Sequence, residues 1–262
     1  MFKKFFTAAK KYLLKDTRYF FLYLYRYPQK NYAHTCLFMN ENTFIEKIQD
    51  GKSIIRIGDG EIGLLHYLPI HYQVWNKDIR NDFLRIITTY SDKSPYILLI
   101  PLFVNESNEK LEQINKLSCW MPLKVSYEMF FNKSAHYFDQ HIFYRDGKYE
   151  QLLLKYLKQK KVIVVTNNKN KDFLSAPGVL DLDVTFVISP SENAYEERGY
   201  ISQQIETEVA KKAGKKEDFV IIMAAGLSKT IIYELSFKGY QLLDIGKGFE
   251  SYYKKESIEY QI

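Results

Sequence analysis

Six short, nearly unbroken apolar runs recur along this chain, at residues 53–57, 96–100, 161–165, 184–188, 219–223 and 240–244. A strand with one wet face alternates apolar and polar residues, whereas a strand covered on both faces reads as a continuous apolar run rich in Val and Ile. Runs such as Lys161-Val162-Ile163-Val164-Val165 and Phe219-Val220-Ile221-Ile222-Met223 are of the second kind. They predict parallel strands sandwiched between helices, a constraint that removes all-α and antiparallel all-β folds at once.

The intervening segments agree. Residues 77–90, 106–117, 149–159, 194–213 and 227–238 carry helical patterning, and Gly239 stands where a helix ends in the left-handed conformation. Strand-then-helix alternation predicts an α/β fold, a Rossmann-like, doubly wound and mostly parallel sheet. With 262 residues and 46% apolar content the chain can fill such a core. Residues 119–147, rich in aromatics, fit the alternation poorly and read as an insertion that helps to shape a pocket. The expected division is an N-terminal helical segment over residues 1–40 and one domain over 41–262.

The N-terminal segment concentrates much of the net charge of +6. Lys3, Lys4, Lys10, Lys11 and Lys15 alternate with Phe2, Phe5, Phe6, Tyr12 and Leu13 at helical spacing. Two readings follow: a helix whose aromatic face packs on the domain, or a basic amphipathic helix lying on an anionic membrane surface. Its apolar run, residues 19–25, is far shorter than the ~20 residues that span a bilayer. Two cysteines, Cys36 and Cys119, make no disulfide framework. The expected location is the cytoplasm, peripheral to the inner membrane face. Charge gathered in one helix rather than on a reading motif does not suggest a nucleic-acid partner.

In doubly wound sheets ligands bind beyond the carboxyl ends of the strands. The residues that follow the predicted strands are small or polar: Gly58-Asp59-Gly60-Glu61, Thr166-Asn167-Asn168-Lys169, Ser189-Pro190-Ser191-Glu192-Asn193, Ala224-Ala225-Gly226-Leu227-Ser228-Lys229 and Gly246-Lys247-Gly248. In an extended backbone Asp59 and Glu61 point the same way and can share one hard cation. The alternative is that one of them caps a following helix. The turn at Gly226 lacks the glycine before lysine of a phosphate loop, but a small-residue turn opening a helix still offers N–H groups to a phosphate, with Lys229 beside them. Asp181-Leu182-Asp183 precedes a strand and reads as a solvated turn. The five histidines show no metal spacing, and no Ser or Cys sits in a nucleophile elbow.

Four ordered segments, Arg56-Ile57-Gly58-Asp59-Gly60-Glu61, Ile188-Ser189-Pro190-Ser191-Glu192-Asn193-Ala194-Tyr195, residues 219–239 and Gly239-Tyr240-Gln241-Leu242-Leu243-Asp244-Ile245-Gly246, together resemble the GT-D glycosyltransferases. This family was formerly catalogued as a domain of unknown function. The resemblance implies transfer of a sugar from a nucleotide sugar, commonly a UDP-sugar, with Mn²⁺ or Mg²⁺, to a glycan or lipid-linked acceptor in surface polysaccharide or glycoprotein glycan assembly. It implies Asp59 and Glu61 as metal ligands. Arg56, Gly58, Gly60, Asn193, Ala194, Gly226, Lys229 and Gly246 would line the nucleotide or phosphate pocket, with Arg145 as a further phosphate contact. Asp244 would orient the sugar or the acceptor. The sequence identifies no general base, Glu192 and Glu196 being the candidates for it. A non-catalytic module that keeps the nucleotide fold and docks on a membrane or a partner is the competing expectation.

Overall fold

The computed structural model describes residues 16–142, 148–175, 182–224 and 228–246. Its strands are β1 (Leu37–Phe38), β2 (Ser53–Arg56), β3 (Tyr96–Ile100), β4 (His136–Asp139), β5 (Lys161–Thr166), β6 (Val184–Ile188), β7 (Phe219–Met223) and β8 (Leu242–Asp244). They form one sheet in the order β1-β4-β3-β2-β8-β7-β5-β6, and the named pairings are all parallel. All six apolar runs are strands. The last of them, β8, does not lie at an edge but slots between β2 and β7, beside the first predicted strand.

Period-two alternation explains why the runs are unbroken. Ile55, Leu98, Ile163, Ile221 and Leu242 face one core layer, while their neighbours Ile54, Ile97, Leu99, Val162, Val164, Val220, Ile222 and Leu243 face the other. The second layer is closed by α2 (Glu41–Gln49) through Phe44 and Ile48, and by α7 (Lys148–Leu157) through Leu153 and Leu157. The first is closed by α1 (Thr17–Arg26), α3 (Asp59–Leu65), α4 (Lys77–Thr88), α6 (Leu117–Phe130), α9 (Arg198–Lys211) and α10 (Lys229–Phe237). Two short helices, α5 (Asn108–Gln113) and α8 (Asn168–Leu174), complete the described helices.

Of the aromatic-rich segment, residues 143–147 lie outside the described residues, and the described part, residues 119–142, is not an insertion. It holds most of α6 and the sheet strand β4. The helix was hidden because Trp120, Met121, Leu123, Val125 and Tyr127 are buried on several sides, which erases the amphipathic period. The expected helix at 106–117 is instead broken at Asn115, which has φ 56° and separates α5 from α6. The ending of α10 is as expected: Gly239, at φ 84°, lets Tyr240 N–H reach Leu235 O at 3.1 Å and its own N–H reach Ser236 O at 3.0 Å.

The first described helix, α1, packs against α6 and sends Tyr19 and Tyr23 into the core with no exposed surface. The Tyr19 ring lies 3.6 Å from the imidazole of His66. His66 meets Asp16 at 3.3 Å through Nδ1 and Ser126 at 2.7 Å through Nε2, so the start of α1 is tied to α3 and α6 together. Phe21 and Tyr25 on the other side are exposed. Lys3, Lys4, Lys10, Lys11 and Lys15 lie outside the described residues. No described helix is long and apolar enough to cross a membrane.

Truncating Tyr19 to Ala removes a buried ring and its stacking on His66, and is expected to lower unfolding stability by about 3–5 kcal/mol. Urea denaturation followed by circular dichroism measures it; a loss under about 1 kcal/mol would mean that α1 does not belong to the core.

Candidate active site

β2 ends at Arg56, and the chain turns into α3 at Gly58, whose extended φ of −103° makes it the helix N-cap. Glu61, in the first turn, reaches back so that its Oε2 accepts from Gly58 N–H at 2.9 Å. This is the acid half of a capping box. A Cβ on Gly58 would come within 3.3 Å of that carboxylate oxygen and 3.5 Å of Gln140 Oε1, so a side chain would crowd the turn.

The backbone at Asp59 is therefore helical, not extended. Two residues along a helix are about 200° apart around its axis, so the carboxylates of Asp59 and Glu61 diverge. Glu61 turns inward and keeps only 6% of its surface, whereas Asp59 is exposed at the rim, its Oδ1 accepting from Gly60 N–H at 3.0 Å. Of the two readings of this acid pair, the cap describes Glu61 and the open carboxylate describes Asp59.

Glu61 meets a buried cation. Lys229, the first residue of α10, places its Nζ 2.9 Å from Glu61 Oε1 and 3.2 Å from Asp244 Oδ2. Asp244 closes β8 with 3% exposure; its Oδ2 also faces Arg56 N–H at 3.4 Å, and its Oδ1 accepts from Gly246 N–H at 3.2 Å. Gly246 turns the chain at φ 54°, where a side chain would be strained. One ammonium thus holds β2, α3, α10 and β8 at their ligand-binding ends.

Burial by itself would lower the Lys229 pKa, but the Asp244 and Glu61 carboxylates outweigh it and hold it raised. Burial would raise Glu61, and the Lys229 charge, its hydrogen bond and Gly58 N–H together hold it lowered. Glu61 and Lys229 therefore both stay charged at neutral pH. Three acids, Asp59, Glu61 and Asp244, stand with Lys229 at this end of the sheet, where Arg56 closes β2.

The other predicted residues divide into two sets. Asn193 and Ala194 follow β6, but Asn193 does not stand open: its N–H donates to Tyr72 O and its Oδ1 accepts from Val74 N–H, both at 2.9 Å. Ala194 is buried. Tyr195 N–H donates to Gln73 Oε1 at 3.3 Å, and Gln73 Nε2 donates to Glu196 at 3.2 Å. Residues 193–196 therefore clamp the loop that joins α3 to α4, and this loop brings Tyr72 over Gly60. Neither Tyr72 nor Gln73 carried a signal in the sequence, since only the tertiary contact gives them a place. Arg145, Gly226 and Lys247 lie outside the described residues, as does Asp181; Asp183 is exposed at the amino end of β6.

Two clefts open on this side. One, of about 320 Å³, runs from Asp59 and Gly60 between Leu68–Ile70 and α6, where Cys119, Pro122 and Leu123 form a wall. The aromatic-rich segment does contribute to a pocket, though as a helix. The other, of about 400 Å³, lies over the ends of β5 and β6 between Asn167, Lys169, Ile188 and Tyr200. Among the described residues no three of His, Cys, Asp and Glu gather as a metal site by themselves.

The model of the glycosyltransferase GT-D fold family matches residues 54–259. A solved structure of a new glycosyltransferase from Streptococcus sanguinis, carrying domain of unknown function 1792, is 19% identical, with TM-score 0.66, over 87% of this chain and 88% of that one. Two further structures of the same domain, one described as having a distinct glycosyltransferase fold, are each 18% identical with TM-score 0.69; they cover 93% and 92% of this chain and 88% of their own. No curated protein matches. At such identities the solved structures establish the fold, while the family match spans most of the chain, including the whole Glu61–Lys229–Asp244 cluster. The chain belongs to the glycosyltransferase GT-D fold family, and it is a glycosyltransferase.

Proposed function

We propose that this glycosyltransferase takes its sugar from a UDP-sugar, with a divalent cation, and passes it to a hydroxyl of a glycan or lipid-linked acceptor. The observation that carries the reading is the buried Glu61–Lys229–Asp244 cluster, opening on the exposed Asp59 at the carboxyl ends of β2 and β8. Transfer breaks the bond from the anomeric carbon to the diphosphate, which leaves with the electron pair. The acceptor oxygen bonds that carbon and gives up its proton to the departing diphosphate or to water.

A diphosphate that meets the exposed Asp59 carboxylate is repelled by it unless a cation comes between them. The donor set fits that need in part. Asp59 offers a hard oxygen ligand outside any ion pair among the described residues, while Glu61 is committed to Lys229 and Gly58 N–H. Mg²⁺ and Mn²⁺ are often held by one or two carboxylates, with substrate phosphates and water completing the shell. Asp59 would be the anchoring ligand, with Glu61 behind it, and the ion would neutralise charge on the departing diphosphate. Lys229 keeps the Glu61 and Asp244 carboxylates fixed in place. Gly58 lets the chain turn closely enough for this to happen. An association with the inner membrane face is supported by the exposed Phe21 and Tyr25 of α1, next to the basic segment that precedes it.

Thermal unfolding with UDP and Mn²⁺ tests the donor and the metal. UDP and Mn²⁺ together should raise Tm by several degrees, more than the separate effects combined, while Asp59→Asn, at an exposed site, should leave the ligand-free Tm nearly unchanged and abolish the joint effect. The same UDP shift with a chelator present would overturn the metal.

Lys229→Met leaves two buried carboxylates without their cation and should cost about 3–5 kcal/mol at pH 7. The pH dependence should also change sign. In the wild type, Glu61 is lowered, so its stabilisation is present above about pH 4.5 and lost as pH falls through its folded value. Lys229 is raised, so its stabilisation is present below about pH 10.5 and lost at still higher pH. In the variant, burial raises Glu61 once its cation is gone, so stability should increase as pH falls from about 7 to 5. Urea titrations at the two pH values decide this, and a variant as stable as wild type at pH 7 would refute the account of the cluster.

A further inference from the structure

Tyr72 occupies a position that packing alone does not explain. The N–H and carbonyl of Ile70 and Gln73 exchange hydrogen bonds at 3.1 Å in both directions, so His71 and Tyr72 form the tip of a tight turn between α3 and α4. This turn is held from outside on both flanks of Tyr72, by Asn193 at Tyr72 O and Val74 N–H, and by Tyr195 and Glu196 at the Gln73 side chain. Asn193 adopts φ 49° to make both of its contacts, a conformation that Asn tolerates better than most residues.

The clamp aims the phenol at the charged rim. Its hydroxyl lies 4.0 Å from where a Cβ on Gly60 would stand, and Glu61, Lys229, Asp244 and Asp59 all act on it electrostatically. Burial, and then the neighbouring carboxylates, push its pKa up to about 12, so it carries its proton at neutral pH and can donate. Among the described residues it donates to nothing: its recorded contacts are these charges and the edge of the His71 ring. The oxygen is not among the buried unpartnered atoms, so water reaches it and a ligand oxygen can take the place of that water.

The structure assigns a partner by chemistry. We propose that Tyr72 donates its hydroxyl to a diphosphate oxygen of the nucleotide-sugar donor, and that Asn193 is a positioning residue that acts through Tyr72. This rests on the nucleotide-sugar reading above. It gives Asn193 a different duty from lining the nucleotide pocket, namely holding the loop that does so.

Titration calorimetry with UDP at saturating Mn²⁺ tests both parts. Tyr72→Phe retains the ring and loses only the donor; its UDP Kd should rise about tenfold, as expected for a hydrogen bond to a charged oxygen, with the ligand-free Tm unchanged. Asn193→Gly removes the clamping amide while glycine still accepts the positive φ, and its Kd should rise by a similar factor. Because the second residue acts through the first, the double variant should bind within about twofold of the weaker single variant. A Tyr72→Phe affinity within twofold of wild type overturns the contact, and multiplicative losses in the double variant overturn the positioning role. Tyr72→Phe decides the contact even if Asn193→Gly proves unstable. Failure of the wild type itself to bind UDP defeats the nucleotide-sugar reading instead.

Discussion

The interaction on which the rest of the site depends is the ammonium of Lys229 held between two buried carboxylates. Removing an ion from water costs several kcal/mol, and only close geometry with further hydrogen bonds returns it. Here Gly58 N–H serves Glu61, while Gly246 N–H serves Asp244. The partners come from β2's turn, the start of α10 and the end of β8, which are neighbours only because the final strand enters the middle of the sheet. The ion pair therefore marks the place where the two halves of the chain close on each other.

That arrangement also divides labour between the two acids of the Gly58–Glu61 turn. The helix that begins there turns one carboxylate into the protein and leaves the other at the rim. Glu61 builds the floor and Asp59 stands exposed above it. The open carboxylate is what links the electrostatics of the floor to the cation and diphosphate proposed above it. The clamp from residues 193–196 adds a wall, so segments from three distant parts of the chain meet around one space.

Much of the fold was legible because buried parallel strands advertise themselves. Val162 to Val165 need to be apolar on both faces, and the same holds for Val220 to Ile222. By contrast β4, with His136 and Asp139 at its ends, offers only two apolar residues, and α6 shows no stripe because it is buried on several sides. Both were unreadable for the same reason: local pattern reports burial on one face or two, and these elements are exceptions to either template. At the site, the position of Asp59 and Glu61 after a buried strand placed them on the ligand-binding rim. Their divergence did not follow from spacing, since residues two apart agree in a strand and oppose each other in a helix.

By itself, the sequence determined an α/β chain with parallel strands, a rim of small and polar residues after five of its six predicted strands, and a resemblance to the family to which the chain belongs. Only the tertiary structure decided that Lys229 is buried between Glu61 and Asp244, and that Asn193 grips the loop joining α3 to α4. The physical reason is common to both. A side chain's charge and hydrogen bonds are settled by whichever partner arrives across the fold: Glu61 lies 168 residues from Lys229, and Val74 lies 119 from Asn193.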